Sequence, residues 1–414
     1  MTSTSAGAAA RSTRATPATQ AMQARWDAVM MHNYSTPPVA LSHGVGARVW
    51  DVDGRAYLDL LGGIAVSSLG HAHPAVVEAV TRQVGLLAHT SNLAAHEPGL
   101  ALSERLAGLL PGPTRVFLCQ DGATANEAAL KIVRKAMQGR RTEVISTHGA
   151  FHGRTLGALS VTGSPAKRAP FEPLPGPVTF VDFGDVEALR NAATGATAAI
   201  ILEPVQGEAG VIVPDPGYLA AARAIADEVG ALLVVDEVQS GIGRTGEWLM
   251  SAAQGVLPDV VTLAKGLGGG LPIGAVLATG SAADVFVPGD HGTTFGGNPI
   301  SCAAALAVLD IIDRDRLLEN VRSVGDRWAA SFEAIDHPLL AGQRGVGLWR
   351  ALELSAPVAP ALEVHARSAG FLVNAVRPTS IRLAPPLVLT ADEADEFSAA
   401  LPGLLASVAA EVES

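Results

Sequence analysis

Seven short apolar runs alternate with helix-length segments through the middle of the chain, and this alternation constrains the fold more than any other feature. The runs lie at 115–119, 143–146, 178–181, 198–202, 232–235, 260–263 and 275–278. Apolar residues at helical spacing fall between several of them, as at 125–137 and 218–229. Strands separated by helices of this length predict a mainly parallel sheet covered by helices. Ahead of this region, strand-like runs within 47–61 flank Asp53-Gly54, a hairpin turn signal. Pro74 then opens a helical stretch at 75–87. Behind the region, a helical pattern runs from Pro299 to about 313, followed by strand-like runs near 346–353 and 380–383. The expected fold class is α/β, with a large, mostly parallel sheet domain at 71–300 and a smaller α+β domain at 301–414. The segment 34–70 is expected to join the smaller domain, and 1–33 to be a disordered tail. No internal repeat is visible.

Composition narrows the functional classes. The chain has 414 residues, 48% hydrophobic and 17% charged, enough for a large buried core. A net charge of −11 with no long basic run argues against nucleic-acid binding. Two cysteines, Cys119 and Cys302, are too few for a disulfide framework and fit a reducing, cytoplasmic compartment. No apolar run has the length of a membrane span, and no metal-ligand spacing occurs. Residues 1–26 carry Arg11, Arg14 and Arg25 and no acid. That pattern is shared by transit peptides, but the same Ala/Arg bias runs through the whole chain, which favours a plain tail.

Two residues point to chemistry. Asp236 ends the apolar run Leu232-Leu233-Val234-Val235, and Lys265 follows Thr262-Leu263-Ala264, immediately before Gly266-Leu267-Gly268-Gly269-Gly270. A lysine amine condenses with an aldehyde. A carboxylate against a pyridine nitrogen keeps it protonated and makes the ring an electron sink. Together these are the requirements of pyridoxal 5′-phosphate (PLP) chemistry. The glycines after Lys265 are expected to let the backbone approach a bound cofactor. Taken singly, the acid reads equally well as a turn cap and the lysine as a solvated side chain. Gly122 and Ala123 open a helix directly after a strand, where backbone N–H groups make an anion site. Arg382 lies inside the apolar run Ile381-Arg382-Leu383, where a guanidinium needs an acid or a ligand.

By these motifs the chain resembles the class III aminotransferases, the ornithine/acetylornithine/4-aminobutyrate group of PLP fold-type-I enzymes, whose fold is aspartate aminotransferase-like. The resemblance runs from about Tyr34 to about Phe397. It implies that Lys265 holds PLP and shuttles the proton, that Phe151 and Val238 sandwich the ring, and that Gln239 meets the phenolic oxygen. It places the phosphate at Asp121-Gly122-Ala123, where the family has Ser-Gly-Ala and a later Glu, and this chain has Asp121 and Thr124. Asp121 would repel the phosphate or would serve as a helix cap. Arg154, in Phe151-His152-Gly153-Arg154-Thr155, would clamp a distal substrate carboxylate. Arg382 would grip the α-carboxylate of glutamate, alternating with Glu208. Thr294, in the glycine-rich loop 291–299, would bind the partner subunit's PLP phosphate, which implies a homodimer with shared active sites.

The stretches Gly63-Ile64-Ala65-Val66, Gly70-His71-Ala72-His73-Pro74, Thr90-Ser91-Asn92-Leu93 and Leu372-Val373-Asn374-Ala375 resemble the bacterial acetylornithine branch. The implied reaction is ping-pong transamination between N2-acetyl-L-ornithine and 2-oxoglutarate, as used in arginine biosynthesis. Ala94, where relatives often carry an aromatic, leaves ornithine and 4-aminobutyrate open as donors. A PLP-dependent decarboxylase and a degenerate PLP-binding paralogue are the readings of other kinds.

Overall fold

Every residue of the run Leu232–Asp236 is buried, which a strand achieves only inside a sheet covered on both faces. The computed structural model, which describes residues 17–413, places this run fourth in a sheet of seven strands. The order is Thr114–Cys119, Gly274–Thr279, Val260–Leu263, Leu232–Asp236, Thr197–Leu202, Glu143–Thr147, Val178–Val181. These are the seven runs expected from the apolar pattern. Five consecutive strands, from Val260–Leu263 to Val178–Val181, are parallel. Gly274–Thr279 is antiparallel to both neighbours. The reversal has a simple cause: only a short turn, Lys265–Gly268, and a few loop residues separate it from the preceding strand. A parallel return needs a crossover of a dozen residues or more. Helices Gly122–Ala136 and Tyr218–Val229 supply two of the covers, the second closed by Gly230 in the left-handed region at φ 67°.

Two four-stranded sheets flank this one. In the first, Leu41–Val45, Arg48–Asp51 and Ala56–Asp59 form an antiparallel meander, and Phe371–Leu372 adds in parallel. The Asp53-Gly54 turn sits where the sequence places it, with Gly54 at φ 79°. The second sheet is Leu340–Val346, Trp349–Leu354, Ser380–Leu383 and Asn374–Arg377, all antiparallel. The strand expected near 346–353 is Trp349–Leu354, and a strand not expected, Leu340–Val346, precedes it in a hairpin. Gly347, at φ 55°, turns the chain, and a Cβ there would lie 2.6 Å from Val321 Cγ1.

Residues 17–29, expected to belong to a disordered tail, form the helix Pro17–Val29. Proline at its start and a run with four Ala and two Gln favour the helix. Tertiary bonds dock it: the Thr19 hydroxyl donates to Asp53 at 2.5 Å, and Gln23 donates to the Pro37 carbonyl at 3.0 Å. The rest of that tail, 1–16, lies outside the described residues. The domain boundary expected between 300 and 301 falls in the first turn of helix Pro299–Arg314. One apolar cluster crosses it, from Val261, Leu263 and Leu277 of the central sheet through Val308 and Ile312 to Trp328, Phe332 and Phe397.

Phe397 meets Trp328, Phe332 and Phe371 edge-on, with centroids 5.3–6.1 Å apart, and is 1% exposed. Phe397→Ala should lower stability by about 3–5 kcal/mol, the usual cost of an aromatic-to-alanine cavity. A chemical denaturation curve showing a loss below about 1 kcal/mol would mean the cluster collapses onto the gap.

Candidate active site

Parallel strands end on one edge, and the residues just beyond that edge are the ones free to face a ligand. Asp236 closes its strand opposite Thr262, Lys265 lies two residues beyond Leu263, and Gly122 opens a helix three residues after Cys119. They meet in a cavity of about 450 Å³, within the range of small-molecule sites. Its lining includes Asp121, Gly122, Ala123, Phe151, Arg154, Asp236, Val238, Gln239 and Lys265, all expected from the sequence. Asn126, His152, Gly153 and Thr155 complete it. Among the expected residues, Glu208, Arg382 and Thr294 are not part of this lining.

Asp236 is 3% exposed, and a buried carboxylate must find donors. Asn126 Nδ2 and His152 Nδ1 each lie 2.8 Å from Oδ2, and the Val238 N–H donates to Oδ1 at 2.9 Å. Asn126 is held in turn: its amide also donates to the His152 carbonyl at 2.7 Å, and its oxygen accepts from Thr262 at 2.9 Å. Asn126 and His152 were visible in the sequence motifs, but their role was not. They sit 110 and 84 residues from Asp236, so only the fold pairs them.

Lys265 occupies the left-handed region at φ 43°. Such a backbone costs a non-glycine residue on the order of 1–3 kcal/mol and is typically kept where a side chain must be aimed. Burial first, then the charge of Arg382, pull its amine down to about 8, against the opposing charges of Asp236, Glu208 and Glu203. Glu203, at the end of Thr197–Leu202, accepts the Phe151 N–H at 3.0 Å. Burial and the neighbouring Asp236 hold its carboxyl well above the usual range.

The glycines after Lys265 have a different role from the one expected. A Cβ on Gly268 would lie 2.9 Å from Ile273 Cγ2, and one on Gly269, at φ 56°, 2.7 Å from Val308 Cγ2. Gly269 lets helix Pro299–Arg314 pack against the turn, Gly268 makes room for Ile273, and neither lines the cavity. The glycines that shape the cavity are Gly122, where a Cβ would meet Val238 Cγ1 at 2.7 Å, and Gly153, where one would meet Ala123 Cβ at 2.7 Å.

Asp121 is the N-cap of Gly122–Ala136. Its carboxylate accepts the Thr124 N–H at 2.8 Å, and its own N–H donates to Thr124 Oγ1 at 3.2 Å. The two departures from the family pattern, Asp121 and Thr124, are thus halves of one reciprocal capping box. Arg154 has its guanidinium carbon 5.7 Å from the Phe151 ring centroid. Arg382 is 2% exposed, with Nη1 donating to Glu208 Oε1 and Nη2 to Asn374 Oδ1, both at 2.8 Å. Burial alone would raise the Glu208 carboxyl, but Arg382, Lys167 and Lys265 outweigh it and leave it below its ordinary value.

The Gln239 side-chain oxygen and the His152 Nε2 are buried without a partner, on two residues that line the cavity. With Lys265, Asp236 and the N-terminus of Gly122–Ala136, these residues fit a cofactor carrying an aldehyde, a ring nitrogen, a phenolic oxygen and a phosphate.

Residues 29–405 match the family model Aminotransferase class-III. The chain belongs to the class III aminotransferases. The acetylornithine aminotransferase of Mycobacterium tuberculosis is 57% identical over 395 residues, 95% of this chain and 98% of that protein. The acetylornithine aminotransferase of Streptomyces coelicolor is 55% identical over 382 residues, 92% of this chain and 94% of that one. The ornithine aminotransferase structure from Toxoplasma gondii, with PLP at its active site, superimposes with TM-score 0.91 at 33% identity and covers 96% of both chains. The acetylornithine aminotransferase structure from Elizabethkingia anophelis gives TM-score 0.83 at 31% identity, covering 94% of this chain and 99% of that one. This class III aminotransferase is therefore a PLP-dependent transaminase with the mixed α/β fold of its family.

Two predictions follow from the site. Asp121→Ala removes the cap and should cost about 1 kcal/mol of stability. Asp121→Ser keeps a cap, should cost under ~0.5 kcal/mol, and should tighten PLP several-fold by removing a like charge. Unfolding curves and a PLP titration of the same variants separate the two effects; equal PLP binding would mean the carboxylate lies out of reach of the phosphate. In the cofactor-free enzyme, only neutral Lys265 is a nucleophile. Its capture of PLP should therefore speed up as pH rises through about 8 and level off above. Arg382→Gln removes a cation that lowers this value, so the midpoint should move upward in stopped-flow absorbance. A midpoint unmoved in the variant would show that burial alone sets it.

Proposed function

We propose that this aminotransferase exchanges an amino group between N2-acetyl-L-ornithine and 2-oxoglutarate, giving N-acetyl-L-glutamate 5-semialdehyde and L-glutamate. The observation that carries the reading is 55–57% identity, over more than nine-tenths of both chains, to proteins named acetylornithine aminotransferase. The superimposed ornithine aminotransferase shares 33%. The reaction serves arginine biosynthesis, and the cytoplasm is its proposed compartment. Among the described residues, no helix is long and apolar enough to cross a membrane.

Bound PLP supplies an aldehyde that takes up the substrate amine and a ring that spreads negative charge from the reacting carbon. Within our reading, the residues of this chain do the rest. Asp236 faces the ring nitrogen and holds its proton. Phe151 and Val238 would confine the ring from its two faces, and Gln239 would meet the phenolic oxygen with its amide N–H. The N–H groups of Gly122 and Ala123, with the Asp121 turn, receive the phosphate. Lys265 Nζ would take the proton from the substrate carbon and deliver it to C4′ of the cofactor, two atoms along. An amine lowered to about 8 is well matched to that exchange near neutral pH.

Arg154, with no ion pair among the described residues, serves as the clamp for the distal carboxylate. Glu208 and Arg382 sort the substrates. N2-acetylornithine presents its reacting amine on a carbon without a carboxylate, so Arg382 stays paired with Glu208 and no buried cation is left alone. Glutamate brings an α-carboxylate that takes Arg382 over.

A homodimer completes this reading. Asn92 Nδ2 donates to the carbonyls of Thr293 and Gly296, at 3.2 and 3.1 Å, tying two loops together. They present Leu93, 98% exposed, and Phe295, 62% exposed, beside the exposed Thr294. Apolar side chains so open suit a protein–protein contact, and Thr294 would then reach the partner subunit's phosphate site.

N2-acetylornithine should exceed ornithine, 4-aminobutyrate and β-alanine in kcat/KM, with 2-oxoglutarate as acceptor. A higher value for 4-aminobutyrate would replace the assigned donor. Glu208→Ala should slow the acetylornithine half-reaction more than the glutamate half-reaction, because it strands Arg382 only when no α-carboxylate is present. Equal losses in single-turnover spectra would reduce the pair to a structural ion pair.

A further inference from the structure

Glu208 is held between two cations, and only one of them belongs to the switch described above. Its Oε1 accepts from Arg382 at 2.8 Å, while its Oε2 lies 3.6 Å from Nζ of Lys167. The second distance is ion-pairing range but longer than a hydrogen bond. Lys167 sits on the short helix Pro165–Arg168, and its amine also lies 5.1 Å from the centroid of Phe151, a ring that lines the cofactor cavity. The side chains of Lys167 and Glu208 are 29% and 25% exposed, against 3% for Arg382.

The backbone around Glu208 is fixed. Gln206 and Ile212 exchange two backbone hydrogen bonds of 3.0 Å, closing the loop. Arg377 Nε donates to the Glu208 carbonyl at 3.2 Å, and Arg344 Nε to the Gly210 carbonyl at 2.8 Å. A change of partner at Glu208 is therefore a rotation of its side chain. When Arg382 turns to a substrate α-carboxylate, Glu208 loses its hydrogen-bonded cation while a second anion arrives next to it. A largely buried carboxylate left in that state is costly.

We propose that Lys167 is a positioning residue that takes over Glu208 when Arg382 is released, and so favours the glutamate/2-oxoglutarate half-reaction selectively. This rests on the reading of Glu208 and Arg382 as a substrate switch. Closing the 3.6 Å gap needs only a small movement of a flexible amine already lodged between Phe151 and the acid. In the acetylornithine half-reaction Glu208 keeps Arg382, and Lys167 has nothing to replace.

The test uses PLP-loaded enzyme carrying Lys167→Met, Lys167→Arg, Glu208→Gln, or Lys167→Met with Glu208→Gln. Lys167→Met should slow the glutamate half-reaction about fivefold and weaken equilibrium binding of glutarate, a five-carbon dicarboxylate that cannot react, by a similar factor. The acetylornithine half-reaction should change by much less. Lys167→Arg should restore both quantities, and in the Glu208→Gln background Lys167→Met should add nothing. Equal slowing of both half-reactions, no effect on glutarate binding, or the same effect in the Glu208→Gln background would overturn the proposal. If Glu208→Gln affects the two half-reactions unequally but Lys167→Met does not, the switch stands and Lys167 is an ordinary surface lysine. If Glu208→Gln affects both equally, the switch itself falls, and the role of Lys167 with it.

Discussion

The carboxylate of Asp236, sealed under the central sheet's edge, imposes the strongest demand on the structure around it. A buried anion with too few donors would be destabilising by several kcal/mol. The chain meets it with an amide from helix Gly122–Ala136, an imidazole from the Phe151 segment and the backbone of Val238. Each donor comes from a different segment. Satisfying one carboxylate therefore locks together the helix whose N-terminus faces the cavity, the loop that carries Phe151 and Arg154, and the strand that ends in Asp236 itself. Thr262, one strand over and three residues before Lys265, completes the chain by holding Asn126. The same bonds that neutralise the cost of burial set the distances among the groups that must act together.

Charge around Lys265 is arranged in a second layer. Arg382 opposes the protonated amine, while Asp236, Glu208 and Glu203 favour it, and burial tips the balance toward the neutral form. Burial and the neighbouring Asp236 hold the Glu203 carboxyl well above the usual range. In the proposed function the Glu208–Arg382 pair would have two effects: it would offer or withhold a guanidinium, and it would tune the lysine proposed to move the proton. Any substrate that draws Arg382 away from Glu208 changes the field at Lys265 as well.

Asp121 shows how a local departure can be read two ways until the fold is known. As an isolated acid beside a phosphate site it predicts repulsion. In the structure it is bonded reciprocally with Thr124, so two unusual residues form one cap of ordinary strength. The glycines after Lys265 were open in the same way. Their small size looks like room for a cofactor, yet Ile273 and Val308 occupy the space a Cβ would need. In both cases the residue type was informative and the neighbour it served was not visible.

The sequence by itself determined the seven strands of the central sheet, to within a residue at each end, because a strand buried on both faces must be continuously apolar and its helices must be amphipathic. It also placed Asp236, Lys265 and the Gly122-Ala123 turn on one edge, because residues at the ends of parallel strands fall there whatever joins them, while Phe151, Arg154, Val238 and Gln239 came from the family resemblance. Tertiary structure decided the rest. It made one strand antiparallel, paired the strand expected near 346–353 with Leu340–Val346 in a hairpin about Gly347, and docked Pro17–Val29 as a helix through Thr19 and Gln23. It also brought Asn126 and His152 to Asp236 and Lys167 to Glu208. Hydrophobic periodicity is a property of neighbouring residues and survives in one dimension. Hydrogen bonds and ion pairs between residues tens of positions apart depend on distances that exist only once the chain has folded.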